Sequence, residues 1–254
     1  MSSPPKNKSN SHVAPVEMKD LPADAVSASL AILSTLYHYN LWIFDTVREY
    51  LGQTVVEVGA GVGNITQFLL NTERVVCLEP FEPYREYLAM RFAKHLNVEI
   101  SPRRIEECPS QKVERGDFDS VLCLNVLEHI DDDVGALRRM GQLLRPGGRV
   151  IVLAPALPVL FGQMDRAMGH LRRYTLRSLK RAFSAAGLKP VHGRYMNLAG
   201  AFGWWWQGRV MKKPQISASK ARMFNRLVPT LSAIERLIPV PIGQSVVVVG
   251  ECDR

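Results

Sequence analysis

One stretch constrains this chain more than any other: Val55-Val-Glu-Val-Gly-Ala-Gly-Val-Gly-Asn-Ile-Thr66. An apolar run carrying a single acid, Glu57, stops at Gly59, and Gly61 and Gly63 follow before a helix-like pattern begins. A second apolar run, Val75-Val-Cys-Leu78, ends in Glu79. Strand, glycine turn, helix, strand, acid is the layout of a nucleotide-binding βαβ unit. Glycines at 59, 61 and 63 permit positive φ and let backbone N–H groups approach a ligand with no Cβ in the way. Glu79, at the tip of the second strand, is placed to accept hydrogen bonds from the two hydroxyls of a ribose.

The spacing also narrows the nucleotide. A dinucleotide fingerprint is G-x-G-x-x-G. Here the third glycine comes one residue early, at 63, and position 64 is Asn. Glu57 inside the first strand repels a pyrophosphate and suits a ligand with an ammonium group. S-adenosylmethionine has a ribose and an amino-acid tail but no phosphate. An NAD(P)-dependent oxidoreductase is the weaker alternative, since no Tyr-x-x-x-Lys dyad stands in a credible place.

The rest of the chain alternates the same two periods. Helical spacing of Leu30, Leu33, Leu36, Tyr37, Leu41, Phe44 and Val47 predicts one or two helices from Ala25 to Leu51. After the glycine turn we expect a helix over Asn64–Asn71, a strand over Thr72–Glu79, a helix over Glu82–Leu96 and a short strand over Val98–Ser101. Phe118–Leu124 reads as a strand covered on both faces. Asp132–Leu144 reads as a helix and Arg149–Ala154 as a fifth strand. Leu176–Ala186 is a helix stopped by Gly187, Leu188–His192 a sixth strand, and Gln244–Gly250 the last. The expected fold class is α/β: a Rossmann-like, mostly parallel seven-stranded sheet with helices on both faces and an antiparallel last strand. Residues 1–22 are rich in Ser, Pro, Lys and Asn and read as a disordered tail. Residues 23–254 are expected to form a single domain with two long insertions, about 155–174 and 196–243, rising from carboxyl ends of strands where ligands bind.

Composition sets the class of partner. Hydrophobic content of 46% and charged content of 22% suit a globule with a full core. The four cysteines show neither a C-x-x-C pair nor metal spacing, so reduced buried thiols in a cytoplasmic protein are expected and no metal. The formal net charge is +8, yet from Arg166 to Ile234 there are Lys and Arg residues and no Asp or Glu. A cationic region on an otherwise acidic chain calls for an anionic partner: a small carboxylate or phosphate, an acidic membrane surface, or nucleic acid.

In its order of segments the chain resembles the class I S-adenosylmethionine-dependent methyltransferases over about residues 37–254. Glu57-Val-Gly-Ala-Gly-Val-Gly63 is similar to the family's first motif, and Glu79 to its ribose-binding acid. Asn125-Val-Leu-Glu-His-Ile130 follows strand four, and Leu144-Arg-Pro-Gly-Gly-Arg-Val-Ile-Val152 resembles the family's turn into strand five. Asp165-x-x-x-Gly-His170-x-Arg172-Arg173-Tyr174-Thr resembles a narrower bacterial subgroup. The resemblance implies that Gly59, Gly61 and Gly63 pass under the methionine tail, that Glu57 holds its ammonium, and that Asn125 meets its methionine end. It also implies an acid after strand three for the adenine amino group. That position falls on Arg104, which has no acceptor, so Glu106 or the backbone near Ile105 is expected to read adenine.

Methyl transfer from a sulfonium needs placement and, for a hydroxyl acceptor, a general base. His129 and His170 are the candidates, with Asp165 placed to orient His170. Arg172 and Arg173 suit a carboxylate or phosphate, and Tyr174 and Trp204 complete the expected acceptor side. Trp204-Trp-Trp206 beside Arg209, Lys212 and Lys213 reads as a pocket wall, as core, or as an element peripheral to a membrane. The expected acceptor is a small anionic or lipid-like molecule. A nucleic-acid substrate is less favoured, because strand four is followed by Asn125-Val-Leu-Glu128 rather than the Asn/Asp-Pro-Pro-Tyr/Phe motif of base methylation.

Overall fold

The structure, a computed structural model, describes residues 25–109, 113, 115–206 and 218–252. The tail expected over 1–22 and the basic residues Arg209, Lys212 and Lys213 lie outside them. Seven strands form one sheet among the described residues: β1 (Thr54–Val58), β2 (Arg74–Leu78), β3 (Val98–Ser101), β4 (Phe118–Leu124), β5 (Leu144–Pro155), β6 (Leu188–Met196) and β7 (Ser245–Cys252). Their order is β3-β2-β1-β4-β5-β7-β6. All pairings are parallel except those of β7, which runs antiparallel to both β5 and β6. This is the expected sheet, with β6 longer than its apolar run because pairing with β7 continues through Arg194 and Tyr195 to Met196.

The strands are runs of Val, Ile and Leu because both faces are covered, and the pleat divides them. Val56, Val76, Val121, Val152 and Val248 face one core, closed by α4 (Asp133–Leu143) and α6 (Leu176–Ala185). Val55, Val75, Leu122, Ile151 and Val247 face the other. That side is closed by α2 (Tyr37–Val47), α3 (Glu82–Arg91) and α8 (Ala218–Leu237), through Trp42, Val47, Leu88 and Val228. The aromatic run Tyr37–Trp42 is therefore packing: Trp42 is buried, and Tyr39 lies edge-on to Phe224 of α8. Asp132 caps α4 by accepting the Gly135 N–H at 2.8 Å, and Thr175 caps α6 by accepting that of Ser178. All four cysteines are buried and free.

One expected element is corrected. Asn64–Asn71 holds no α-helix, only a 3-10 turn over Thr66–Phe68. Phe68 and Leu69 donate three residues back, to Ile65 and Thr66. The segment is pinned before a helix can nucleate: Gly63 sits at φ +80°, and the Thr66 hydroxyl turns inward to Glu57.

The carboxyl edge is where the chain leaves regular structure. Ser245 pairs with both Pro155 and Met196, so β5 and β6 end together and both insertions rise from that edge. The first contains α5 (Gln163–Ala167), and the second begins with α7 (Leu198–Trp205). Among the described residues three non-glycines have positive φ: Asn125, Leu157 and Asn197. They stand just past β4, β5 and β6, and strained backbone of this kind clusters at functional sites.

Candidate active site

Glu57 projects from β1 into the protein, where it is 5% exposed. Its Oε2 accepts a 2.7 Å hydrogen bond from the Thr66 hydroxyl. Burial pushes its pKa up to about 7, against the Thr66 bond and the field of Arg91, which pull it down. Glu79 stands at the tip of β2, equally buried. Its Oε2 accepts the Gly61 N–H at 2.8 Å and its Oε1 the Phe81 N–H at 2.9 Å. Each oxygen keeps a lone pair, so the carboxylate can still take two hydroxyl donors.

The glycine turn fits between these acids for steric reasons. Gly59 has φ +67°, and a Cβ there would lie 2.5 Å from the Val126 side chain. Gly63 has φ +80°, and a Cβ would strike the Phe92 ring at 2.4 Å. At Gly61 the nearest atoms are the Leu30 methyls, at 3.6 and 3.7 Å. Leu30 belongs to α1 (Ala25–Ser34), which packs over Val62 and Tyr84 and holds the Tyr84 hydroxyl through Ser27 at 2.8 Å. Glycine turn, paired acids and covering helix make a cradle suited to a nucleoside with an amino-acid tail.

Asn125 follows β4 in the left-handed region (φ 55°), exposed, with its N–H on the Leu153 carbonyl. Ile105 is 2% exposed and packed in the core, so its side chain is closed to a ligand; Glu106 beside it is exposed. Arg104 is exposed too, its N–H held by Glu107 at 2.7 Å.

The other half of the site is built by the first insertion. It is pinned to the sheet edge by Tyr174 N–H to Pro155 O, Leu157 N–H to Tyr174 O, and Leu171 N–H to Glu128 O. Asp165, wholly buried, is its hub. Asp165 Oδ1 accepts from His170 Nδ1 at 3.0 Å and Arg173 Nε at 2.7 Å, and Oδ2 accepts the Gly162 N–H. Burial alone would raise its pKa; the His170 and Arg173 bonds outweigh burial and hold it below the ordinary carboxylate value. The His170 ring meets that of His129 edge-on, with centroids 4.9 Å apart. His129 keeps solvent contact, and its Nδ1 lies 3.1 Å from the Gly169 carbonyl. Desolvation, then His170, lowers the His129 pKa.

The arginines expected to bind an anion have partners within the protein. Arg173 is 6% exposed and spends its guanidinium on Asp165, on the Ala156 carbonyl and on the face of Trp204, 4.7 Å away. Arg172 pairs with Asp133 at 3.2 Å and donates to the Asp131 carbonyl. The Tyr174 hydroxyl donates to the same Asp133 at 2.8 Å. These residues fasten the insertion to α4 and α7, so Trp204 presents a face to Arg173 rather than to open space. Arg173 answers the charge of buried Asp165, and Arg172 that of Asp133.

Sequence reasoning missed two residues. Thr66 lies nine positions past Glu57, and only the fold brings its hydroxyl back. Glu128 has no accessible surface, and neither carboxylate oxygen has a hydrogen-bond partner among the described residues. Its Oε1 lies 3.9 Å from His170 Nε2, and burial pushes its pKa up to about 8.

Residues 34–193 match the family model of the methyltransferase domain. The chain belongs to the class I S-adenosylmethionine-dependent methyltransferases. This methyltransferase is 30% identical over 115 residues to the ubiquinone biosynthesis O-methyltransferase of Aeromonas salmonicida, covering 44% of this chain and 47% of that one. It is 31% identical over 127 residues to the tRNA U34 carboxymethyltransferase of Syntrophotalea carbinolica, covering 48% and 37%. The chain thus matches about half the length, or less, of these curated relatives. In fold it is similar to a geranyl diphosphate methyltransferase solved with S-adenosylmethionine, with a TM-score of 0.62 at 15% identity over 91% of this chain and 92% of that one. The methyltransferase uses S-adenosylmethionine, whose sulfonium supplies the activated methyl group. Among the described residues no helix is long and apolar enough to cross a membrane.

Proposed function

We propose that the chain transfers a methyl group to a hydroxyl of a small acceptor with an acidic or phenolic head and an apolar body. The observation that carries this reading is the cluster at the carboxyl edge. His129, on the turn that follows Asn125, meets His170 of the first insertion, and Arg173, bonded to the same Asp165 as His170, stacks on Trp204 of α7, whose Phe202 and Trp205 are exposed. Glu79 holds the ribose, Glu57 the ammonium, and the glycine turn leaves room for the tail. Asn125 orients the methionine end beside the acceptor. The Glu128–His129–His170 cluster faces the acceptor's hydroxyl, with Asp165 fixing the His170 tautomer. The apolar α7 face takes the acceptor's tail, in keeping with the relatives named as ubiquinone biosynthesis O-methyltransferases. Adenine is read by the backbone near Ile105, with Glu106 available to accept from its amino group.

A second reading has one observation of its own. An open groove of about 670 Å³ is lined by Thr175, Arg177, Lys180, Arg181 and Tyr195. Such a basic groove suits a phosphate backbone, and one relative acts on tRNA. Labelled methyl transfer from S-adenosylmethionine separates the two. A phenol or catechol carrying an isoprenoid chain is expected to take up label faster than the same head group without its tail. Label entering RNA alone would overturn the first reading.

A further inference from the structure

We infer that Glu128, His129 and His170 form a binding site for one divalent transition-metal ion of the zinc type, facing the acceptor. The inference deepens the acceptor reading above and rests on it for the ion's role, though not for the ion's binding.

Both imidazoles are set up as ligands. The Gly169 carbonyl can only accept, so the nitrogen of His129 beside it, Nδ1, carries the proton. Asp165 does the same for His170 Nδ1 at 3.0 Å. Each ring is left with a bare Nε2. A carbonyl or carboxylate behind the far nitrogen is the usual support of a metal-bound histidine. Glu128 supplies the charge. It has no exposed surface and two oxygens without a hydrogen-bond partner among the described residues, and such groups are rare in folded proteins. One donor atom from each of the three lies within 4.8 Å of the others. In a tetrahedral zinc site donor atoms are roughly 3.3 Å apart, given metal–ligand lengths of about 2.0–2.2 Å. Closing that gap takes up to about 1.5 Å of side-chain movement, which the solvent-facing His129 can supply.

The donor set selects the ion. Two imidazoles and one carboxylate suit zinc, cobalt or ferrous iron better than magnesium or calcium, which prefer oxygen. Three protein ligands leave a fourth position open, as in catalytic rather than structural sites. There the ion would bind the acceptor's hydroxyl oxygen and make its proton more acidic. The oxygen then attacks the methyl carbon as the carbon–sulfur bond breaks, and the hydroxyl proton goes to solvent.

The test uses the full chain, stripped with chelator and titrated with Zn²⁺ or Co²⁺ in the absence of any acceptor. One equivalent of metal and the visible absorption of tetrahedral Co²⁺ are expected. Glu128→Gln and, at the exposed position, His129→Ala are each expected to weaken binding at least ~100-fold, with S-adenosylmethionine binding retained as proof of folding. No stoichiometric metal, or variants that bind it like the parent, would overturn the inference. A chain that binds metal but methylates no tailed phenol overturns the acceptor proposal alone. One that binds metal but methylates the phenol equally well without it overturns the ion's proposed role.

Discussion

At the scale of single residues, two buried acids carry the proposed cofactor contacts and a third carries the insertion. Glu57 is the pH-sensitive one. Its pKa of about 7 means it is largely protonated in the free protein below neutrality, whereas holding an ammonium group requires the carboxylate. Affinity for S-adenosylmethionine is therefore full above about pH 7 and falls as pH drops through that value. Calorimetry should show roughly tenfold weaker binding at pH 6 than at pH 7.5, and Glu57→Gln should flatten the profile. Equal affinity at both values would remove Glu57 from the ammonium. Asp165 gives the opposite kind of result. Replacing Arg173 by Met strips buried Asp165 of a counter-charge and should cost about 3–5 kcal/mol of stability in chemical denaturation. Unchanged stability with a raised KM for the acceptor would restore Arg173 to substrate binding. The sequence showed Glu57 and Glu79 because each ends or interrupts an apolar strand. It could not show that Arg172 and Arg173 were already engaged, since their partners, Asp133 and Asp165, come from other turns of the chain.

At the scale of elements, strands were more legible than the segments between them. Phe118–Leu124 fell where its apolar run placed it, because its Val121–Cys123 centre is covered on both faces, and Val98–Ser101 fell in place as a half-buried edge strand. The segment after the glycine turn did not become a helix, for its apolar spacing says nothing of the inward bond from Thr66 to Glu57. Nor does any local pattern disclose that α1 lies over the glycine turn. That helix makes a prediction of its own. Leu30→Asp places a charge against the buried Val62 and Tyr84 and should detach α1 from Gly61. The Kd for S-adenosylmethionine is expected to rise about tenfold while the sheet, probed by far-ultraviolet circular dichroism, stays intact. An unchanged Kd would make α1 a bystander. Gly61→Ala tests the floor of the same cradle. It meets Leu30 only at ordinary contact distance but forces Ala into φ +56°, so a stability cost of about 1–2 kcal/mol is expected. Its Kd should rise more steeply than that cost alone explains.

At the scale of the whole molecule, the sheet order brings every functional feature to one edge. The ends of β1 and β2 carry the two buried acids, Glu57 and Glu79. The ends of β4, β5 and β6 carry the three strained residues, the paired histidines and both insertions. Family and sheet were readable because glycine spacing, strand order and the acid after β2 must agree for a nucleoside to bind. The acceptor was not, because the insertions expected to meet it make contacts that run between distant parts of the chain. The most direct test is calorimetric titration of S-adenosylmethionine into the parent chain and into Glu79→Gln, which keeps one acceptor oxygen but loses the charge. One equivalent should bind the parent, and the variant should bind about 10- to 100-fold more weakly, as expected when hydrogen bonds to a charged acceptor are lost. Equal affinity, or no binding to the parent, would contradict the account.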